Sequence, residues 1–227
     1  MKILIFSVFL LFICTFPVFS QTDGEAWNDT QLIFPLIKTK DNADKPMDRL
    51  TFYLVSDLRI GQNFRHFVEE RAGFGFVYRY NKHLTFTPNY LYIAEQPAAG
   101  ARRFESRFGF VVGLENHWEK FAIEDRNTLE YRARNNVADS VRYKNKPKLI
   151  YPVKKGNEVL FSPFIADEVY YDFRAKTISR NELSAGINRK VNSHLSADVY
   201  YLRLLNRTSA PRHANVLGVS LKIRVGS

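Results

Sequence analysis

Phe104-Glu105-Ser106-Arg107-Phe108-Gly109-Phe110-Val111-Val112-Gly113-Leu114-Glu115 decides how this chain folds. Every second residue is apolar: Phe104, Phe108, Phe110, Val112 and Leu114, with Ser106 the exception. Between them stand Glu105, Arg107, Gly109, Val111, Gly113 and Glu115. A β-strand sends successive side chains to opposite faces, so this segment is a strand with one oily face and one charged or small face. A soluble antiparallel sheet buries the oily side. A transmembrane barrel makes the same alternation with lipid outside and a polar lumen inside, in segments of about ten residues.

The pattern recurs on both sides. Toward the N-terminus, Asn28–Lys38 puts Leu32, Phe34 and Leu36 on one face. Arg49–Ile60 alternates Leu50, Phe52, Leu54, Leu58 and Ile60 with Thr51, Tyr53, Asp57 and Arg59. Glu70–Tyr80 sets Phe74, Phe76 and Tyr78 against Arg71, Gly73, Gly75 and Arg79, and Leu84–Ile93 follows. Toward the C-terminus come Phe121–Arg134, Val141–Val153, Val159–Phe173, Glu182–Lys190, Leu195–Leu205 and Val216–Val225. Asp125 breaks the phase of its segment and Asp167 falls on an apolar face. A β-bulge is expected at each, or for Asp167 a position above the lipid.

Tight turns (Asn81–His83, Lys154–Asn157, Lys190–Ser193) alternate with longer loops (Thr39–Pro46, Glu95–Ala101, Asn206–His213). Short turns at one rim and long loops at the other is the outer-membrane pattern, with the short ones facing the periplasm. The expected fold is therefore all-β: an antiparallel up-and-down transmembrane β-barrel of roughly ten to twelve strands. The segments number about eleven, against the even count usual in bacterial single-chain barrels.

A chain of 227 residues suits one such domain. It is 15% aromatic, with 19 Phe and 12 Tyr, which fits a sheet with interfacial girdles. Mean hydropathy is only −0.27 because apolar residues alternate with charged ones. Net charge is +10, yet Lys and Arg are spread over nearly every segment, with no focused run beyond Lys144-Asn145-Lys146-Pro147-Lys148. That dispersion argues against nucleic acid as a partner.

Met1–Ser20 reads as a cleaved secretory signal: Lys2 starts it, Ile3–Phe16 is its apolar run, and Val18-Phe19-Ser20 precedes the cut at Gln21. Residues 21–227 are then the barrel domain. No later segment approaches the ~20 apolar residues of a spanning helix, so a membrane form must be a closed barrel. Cys14, the only cysteine, lies in the signal, so the mature chain has no disulfide.

Several stretches resemble one family. They are Trp27, Tyr78-Arg79-Tyr80-Asn81, Arg102–Arg107, Tyr131-Arg132-Ala133-Arg134, Asp167-Glu168-Val169-Tyr170-Tyr171-Asp172, and Arg180-Asn181-Glu182-Leu183 with Gly186. Across Trp27 to Val225 the chain is similar to DUF2490, a family of predicted outer-membrane β-barrel proteins of Gram-negative bacteria without an assigned activity. The resemblance implies fold and location and carries no reaction. Outer-membrane strands commonly finish in an aromatic residue read by the assembly machinery; this chain finishes Arg224-Val225-Gly226-Ser227.

Ten charges are expected to face the lumen: Arg71, Arg79, Glu105, Arg107, Glu115, Glu130, Arg132, Arg134, Glu168 and Asp172. They suit either a structural network of Arg–carboxylate pairs or the selectivity region of a narrow pore for a small solute. Strand glycines such as Gly73, Gly75, Gly109 and Gly113 are expected to make room for lumen side chains. Trp27 and Trp118 suit the headgroup level. His194 and Ser196 share a strand face with Asn206 further along, an order similar to the Ser-His-Asn set of outer-membrane phospholipase A. On this topology the pair and Asn206 fall at opposite ends of the strand, so no catalytic residue is assigned and no enzyme is expected. Asp41, Asp44 and Asp48 could hold calcium loosely, but a solvated acidic loop explains them, and the five scattered His lack ligand spacing. No metal or cofactor is assigned.

The leading reading is an outer-membrane barrel, structural or a narrow channel, whose partners are outer-membrane lipid, lipopolysaccharide, the assembly machinery and, for a pore, a small solute. The alternatives are a secreted or periplasmic lipocalin-like barrel, which turns its apolar face inward around a hydrophobic ligand, and a lipid-modifying membrane enzyme.

Overall fold

A computed structural model describes residues 22–40, 44, 46–96, 102–156 and 158–226. The expected signal with Cys14, the cut before Gln21, Asp41, and Pro97 to Ala101 lie outside the described residues. Twelve strands follow one another: β1 Thr22–Lys40, β2 Pro46–Gly61, β3 His66–Arg79, β4 Leu84–Glu95, β5 Arg103–His117, β6 Ala122–Arg134, β7 Ser140–Ile150, β8 Val153–Lys155, β9 Glu158–Asp172, β10 Thr177–Lys190, β11 Leu195–Asn206 and β12 His213–Arg224. The short β8 pairs only with β9. The other eleven close into a ring in chain order, β12 returning to β1.

Neighbours pair antiparallel except at that closure, where β1 and β12 run parallel, Thr22 opposite His213 and Ile33 opposite Arg224. This is the one departure from the expected antiparallel arrangement. Each connection reverses the chain, so with an odd number of wall strands the first and last must point the same way. We call the end where β1 begins rim one and the end where β12 finishes rim two. Rim two carries the tight turns after β3 and β10. It also carries the Lys40–Pro46 connection, so the expected sorting of every long loop to the other rim does not hold.

The faces are inside out relative to a soluble barrel. Glu105 and Arg107 are 6% and 7% exposed, while Phe108, Phe110 and Leu114 are 56%, 48% and 47% exposed. A lipocalin-like interior is thereby corrected: the apolar side chains that would line it point outward. From β1 to β5 they form a cross-strand aromatic ladder, with ring centroids 5.9 Å apart for Phe34–Phe52, 5.2 Å for Phe52–Phe76, 5.8 Å for Phe74–Tyr90 and 5.1 Å for Tyr90–Phe108. Tilted pairs at this spacing favour the ring quadrupoles and fix the register of a sheet.

The inner face has little room, and glycine makes it. A Cβ on Gly75 would lie 2.6 Å from the Tyr53 hydroxyl, and one on Gly109 2.5 Å from the Asn89 amide oxygen. The bulges expected at Asp125 and Asp167 are absent. β6 runs in unbroken register with β5 and β7, and the only shift between β9 and β10 falls at Ile178/Arg180. Both carboxylates therefore point outward.

Candidate lumen site

The inner wall sorts by height. Near rim one, side chains from nearly every strand meet in three linked groups. In the first, Arg71 reaches Glu69 at 2.5 Å and Asp57 at 3.6 Å, and Arg59 reaches Glu69 at 3.2 Å. Arg59 lies flat on Trp27, 3.5 Å from the ring centroid, and the Trp27 Nε1–H donates to Glu25 at 2.7 Å. In the second, Glu105 accepts from Arg107 and Arg132, both at 2.5 Å. Arg132 extends to Asp172 at 3.6 Å. Glu130 is shared by Arg142, Lys144 (2.9 Å) and Arg107 (3.8 Å). In the third, Arg180 pairs with Glu182 at 2.7 Å.

Aromatic faces tie the groups together. Arg142, Lys144 and Arg180 lie 4.9, 5.7 and 5.6 Å from the Tyr170 ring. Arg180 also lies 5.7 Å from Trp27, although β10 and β1 are separated by β11 and β12. That contact is a chord across the lumen. Trp27 in turn packs against Leu202, Leu204, Ala214 and Val216, a small apolar wall inside the barrel. The headgroup position expected for Trp27 is thus corrected: the Glu25–Trp27 phase points inward, and the ring serves as a cation platform. Trp118 is exposed at a rim-two turn, stacked on Phe121.

Toward rim two the lumen is wetter. Lys146 pairs with Glu168 at 3.0 Å, and Lys148 approaches Asp198 at 3.9 Å across β9 and β10. Arg79 pairs with Glu115, and Arg224 grips Asp48 with two bonds of 2.5 and 3.0 Å. Arg126 and Lys222 face inward by register, opposite Gly113 and Ser196, yet both are solvent-exposed and form no ion pair among the described residues. The described lumen is dense near rim one and open to water near rim two.

The ten expected lumen charges all lie on the inner face, but not in one place. Arg71, Glu105, Arg107, Glu130, Arg132 and Asp172 join the rim-one network. Glu168 sits midway, and Arg79 with Glu115 forms a separate pair at rim two. Arg134 turns to the β6–β7 connection, donating to the Ala138 carbonyl. Sequence reading missed Asp57, Arg59, Glu69, Arg142, Lys144, Arg180 and Glu182 as members. Glu69 hides beside Glu70, where charge alone does not tell inward from outward, and Arg180 follows the register shift in β10.

The His194-Ser196-Asn206 arrangement does not assemble. The His194 Nδ1 sits 3.2 Å from the Arg224 carbonyl at rim two, and Asn206 donates to the Pro211 carbonyl at 2.8 Å at rim one. The length of β11, roughly 35–40 Å for its 12 residues, separates them. Asp44 and Asp48 are engaged by Lys40 and Arg224, at 2.8 and 2.5 Å.

The family described as Protein of unknown function (DUF2490) matches residues 26–215. The chain belongs to the DUF2490 family. That span runs from Ala26 to Asn215 near the start of β12 and so includes every charged member of the rim-one network except Glu25. Searches of the curated proteins and of the solved structures find no match. The DUF2490 barrel must therefore be read from its own geometry.

Proposed function

We infer that the protein is a bacterial outer-membrane β-barrel, exported through a leader at Met1–Ser20, whose lumen is held shut toward rim one by ion pairs. The observation that carries this reading is the direction of the alternation: Phe108, Phe110 and Leu114 out, Glu105 and Arg107 in. An apolar band running around a wall is a liability in water and a requirement in hydrocarbon, where a closed ring also leaves no unpaired edge. Lipid and lipopolysaccharide would cover that band, and the outer-membrane assembly machinery would insert it. The interlocked carboxylates and guanidinium groups favour a structural role over an open pore, because most of them are held by partners on neighbouring strands. No reaction belongs to this reading; lipid hydrolysis by the pure protein that Ser196→Ala abolishes would contradict it.

Fractionation tests the location. The protein is expected to pellet with outer membrane, to stay there through carbonate washing, and to leave only with detergent; recovery in the soluble fraction defeats the reading. A second reading, a narrow anion-preferring channel, is favoured by the solvent-exposed Arg126 and Lys222, which form no ion pair among the described residues. Planar bilayers separate the two. The structural role predicts no conductance steps above background, and the channel predicts steps whose anion preference falls in Lys222→Glu.

A further inference from the structure

Asp125 and Asp167 project from the outer wall among apolar neighbours. Along β9 the outward residues beside Asp167 are Ile165 and Val169; along β6, Ile123 and Leu129 bracket Asp125 and Asn127. Asp125 accepts from the amides of Asn127 (2.9 Å) and Asn145 (2.7 Å), and Asp167 from Asn181 alone (2.5 Å). Neither carboxylate has an ion pair among the described residues. Arg203, outward and exposed on β11, has none either. Ionised side chains facing hydrocarbon are costly and call for a partner.

The register sets two of these charges symmetrically. Asp167 is opposite Leu183, and Leu183 is opposite Arg203. A carboxylate and a guanidinium thus flank β10, one strand to each side. Turn a second copy by half a revolution about an axis parallel to the barrel and facing Leu183. Asp167 of each copy then meets Arg203 of the other, the self-complementarity that a two-fold interface demands. Leu183, Ile187 and Val199 are exposed around that axis, and the small Ala185 and Ala197 lie on the same outer face, allowing two walls to approach. Asp125, with two amide donors and three wall strands from β10, lies where the wall has curved away.

We propose that the β9–β11 face is a homodimer interface, with two copies of this chain exchanging Asp167–Arg203 pairs across an axis beside Leu183. The proposal rests on the membrane reading, since water would solvate both charges.

The test uses the full chain extracted from membranes in mild detergent, with mass measured by light scattering. The wild type is expected to be a dimer. Asp167→Arg or Arg203→Asp alone sets like charges face to face and should weaken dimerisation at least about tenfold; the double exchange should restore it. Independently, Leu183→Cys should cross-link to a second copy in the membrane, while Phe76→Cys on the far wall should not. A wild type that is monomeric in both settings, cross-linking through position 76 instead of 183, a double exchange no better than the singles, or a cross-linked partner of another mass each overturns the dimer. A chain soluble without detergent defeats the membrane reading, whereas a monomer that needs detergent defeats only this proposal.

Discussion

Replacing Glu130 by glutamine removes the most heavily shared charge in the lumen while keeping its shape. Arg142, Lys144 and Arg107 converge on its carboxylate, with Lys144 at 2.9 Å and Arg107 at 3.8 Å. A hydrogen bond to a charged group contributes about 1.5–3 kcal/mol, but three bonds to one carboxylate are not additive. The better guide is removal of one partner from a buried ion cluster, which costs about 3–5 kcal/mol because the remaining charges stay buried and unpaired. We therefore expect Glu130→Gln to lose about 3–5 kcal/mol. The assay is urea unfolding in detergent micelles, followed by the emission of Trp27, which lies in the same half of the lumen. Glu158→Gln, at the exposed first residue of β9, serves as the control with no measurable change. A loss below about 1 kcal/mol for Glu130→Gln, the range of solvent-exposed pairs, would mean that water reaches this level freely and that the network does not seal the lumen.

Trp27→Ala should cost about 3–5 kcal/mol, from lost packing on Leu202 and Val216 together with the Arg59 stack; in Trp118→Phe protein the remaining Trp27 emission should be blue-shifted and shielded from iodide. Gly218→Val should destabilise by at least about 1–3 kcal/mol, because its side chain would enter the Tyr200 ring that crosses above Gly218 toward Asp29; Tyr200→Ala in the same chain should recover part of the loss. At the β6–β7 connection, the Tyr131 hydroxyl, donating at 2.5 Å, holds the Asp139 carboxyl below its usual range. The bond is therefore fully present above the ordinary carboxylate pKa of ~3.9 and is lost as pH falls through the depressed folded value. Tyr131→Phe should return the Asp139 titration, read by NMR, toward the ordinary value.

The alternation of Phe104 to Glu115 was enough to name a strand and its two faces, and its repetition was enough to name a barrel and to group ten charges on one face of its wall. Glycines 75 and 109 were legible for the same reason: period-two geometry is local, and a glycine on the charged face predicts a crowded neighbour. Asp125 and Asp167 were misread because a polar residue on an apolar face looks like a phase error until the register is known. Trp27 was misread because an aromatic ring near a strand end suits either side of a wall.

By itself, then, the sequence determined that residues alternate, how many times they do so, and which side chains travel together on one face. It could not determine which face turns inward, since a ribbon with an oily and an ionic side can curl either way and both curls have the same period. Ring closure decided that, and with it the parallel seam between β1 and β12 that eleven strands impose. Closure also decided the chords, Arg180 to Trp27 and Lys148 to Asp198. Side chains on strands that do not touch meet only when curvature brings opposite arcs of the wall together, and no spacing along the chain encodes that distance.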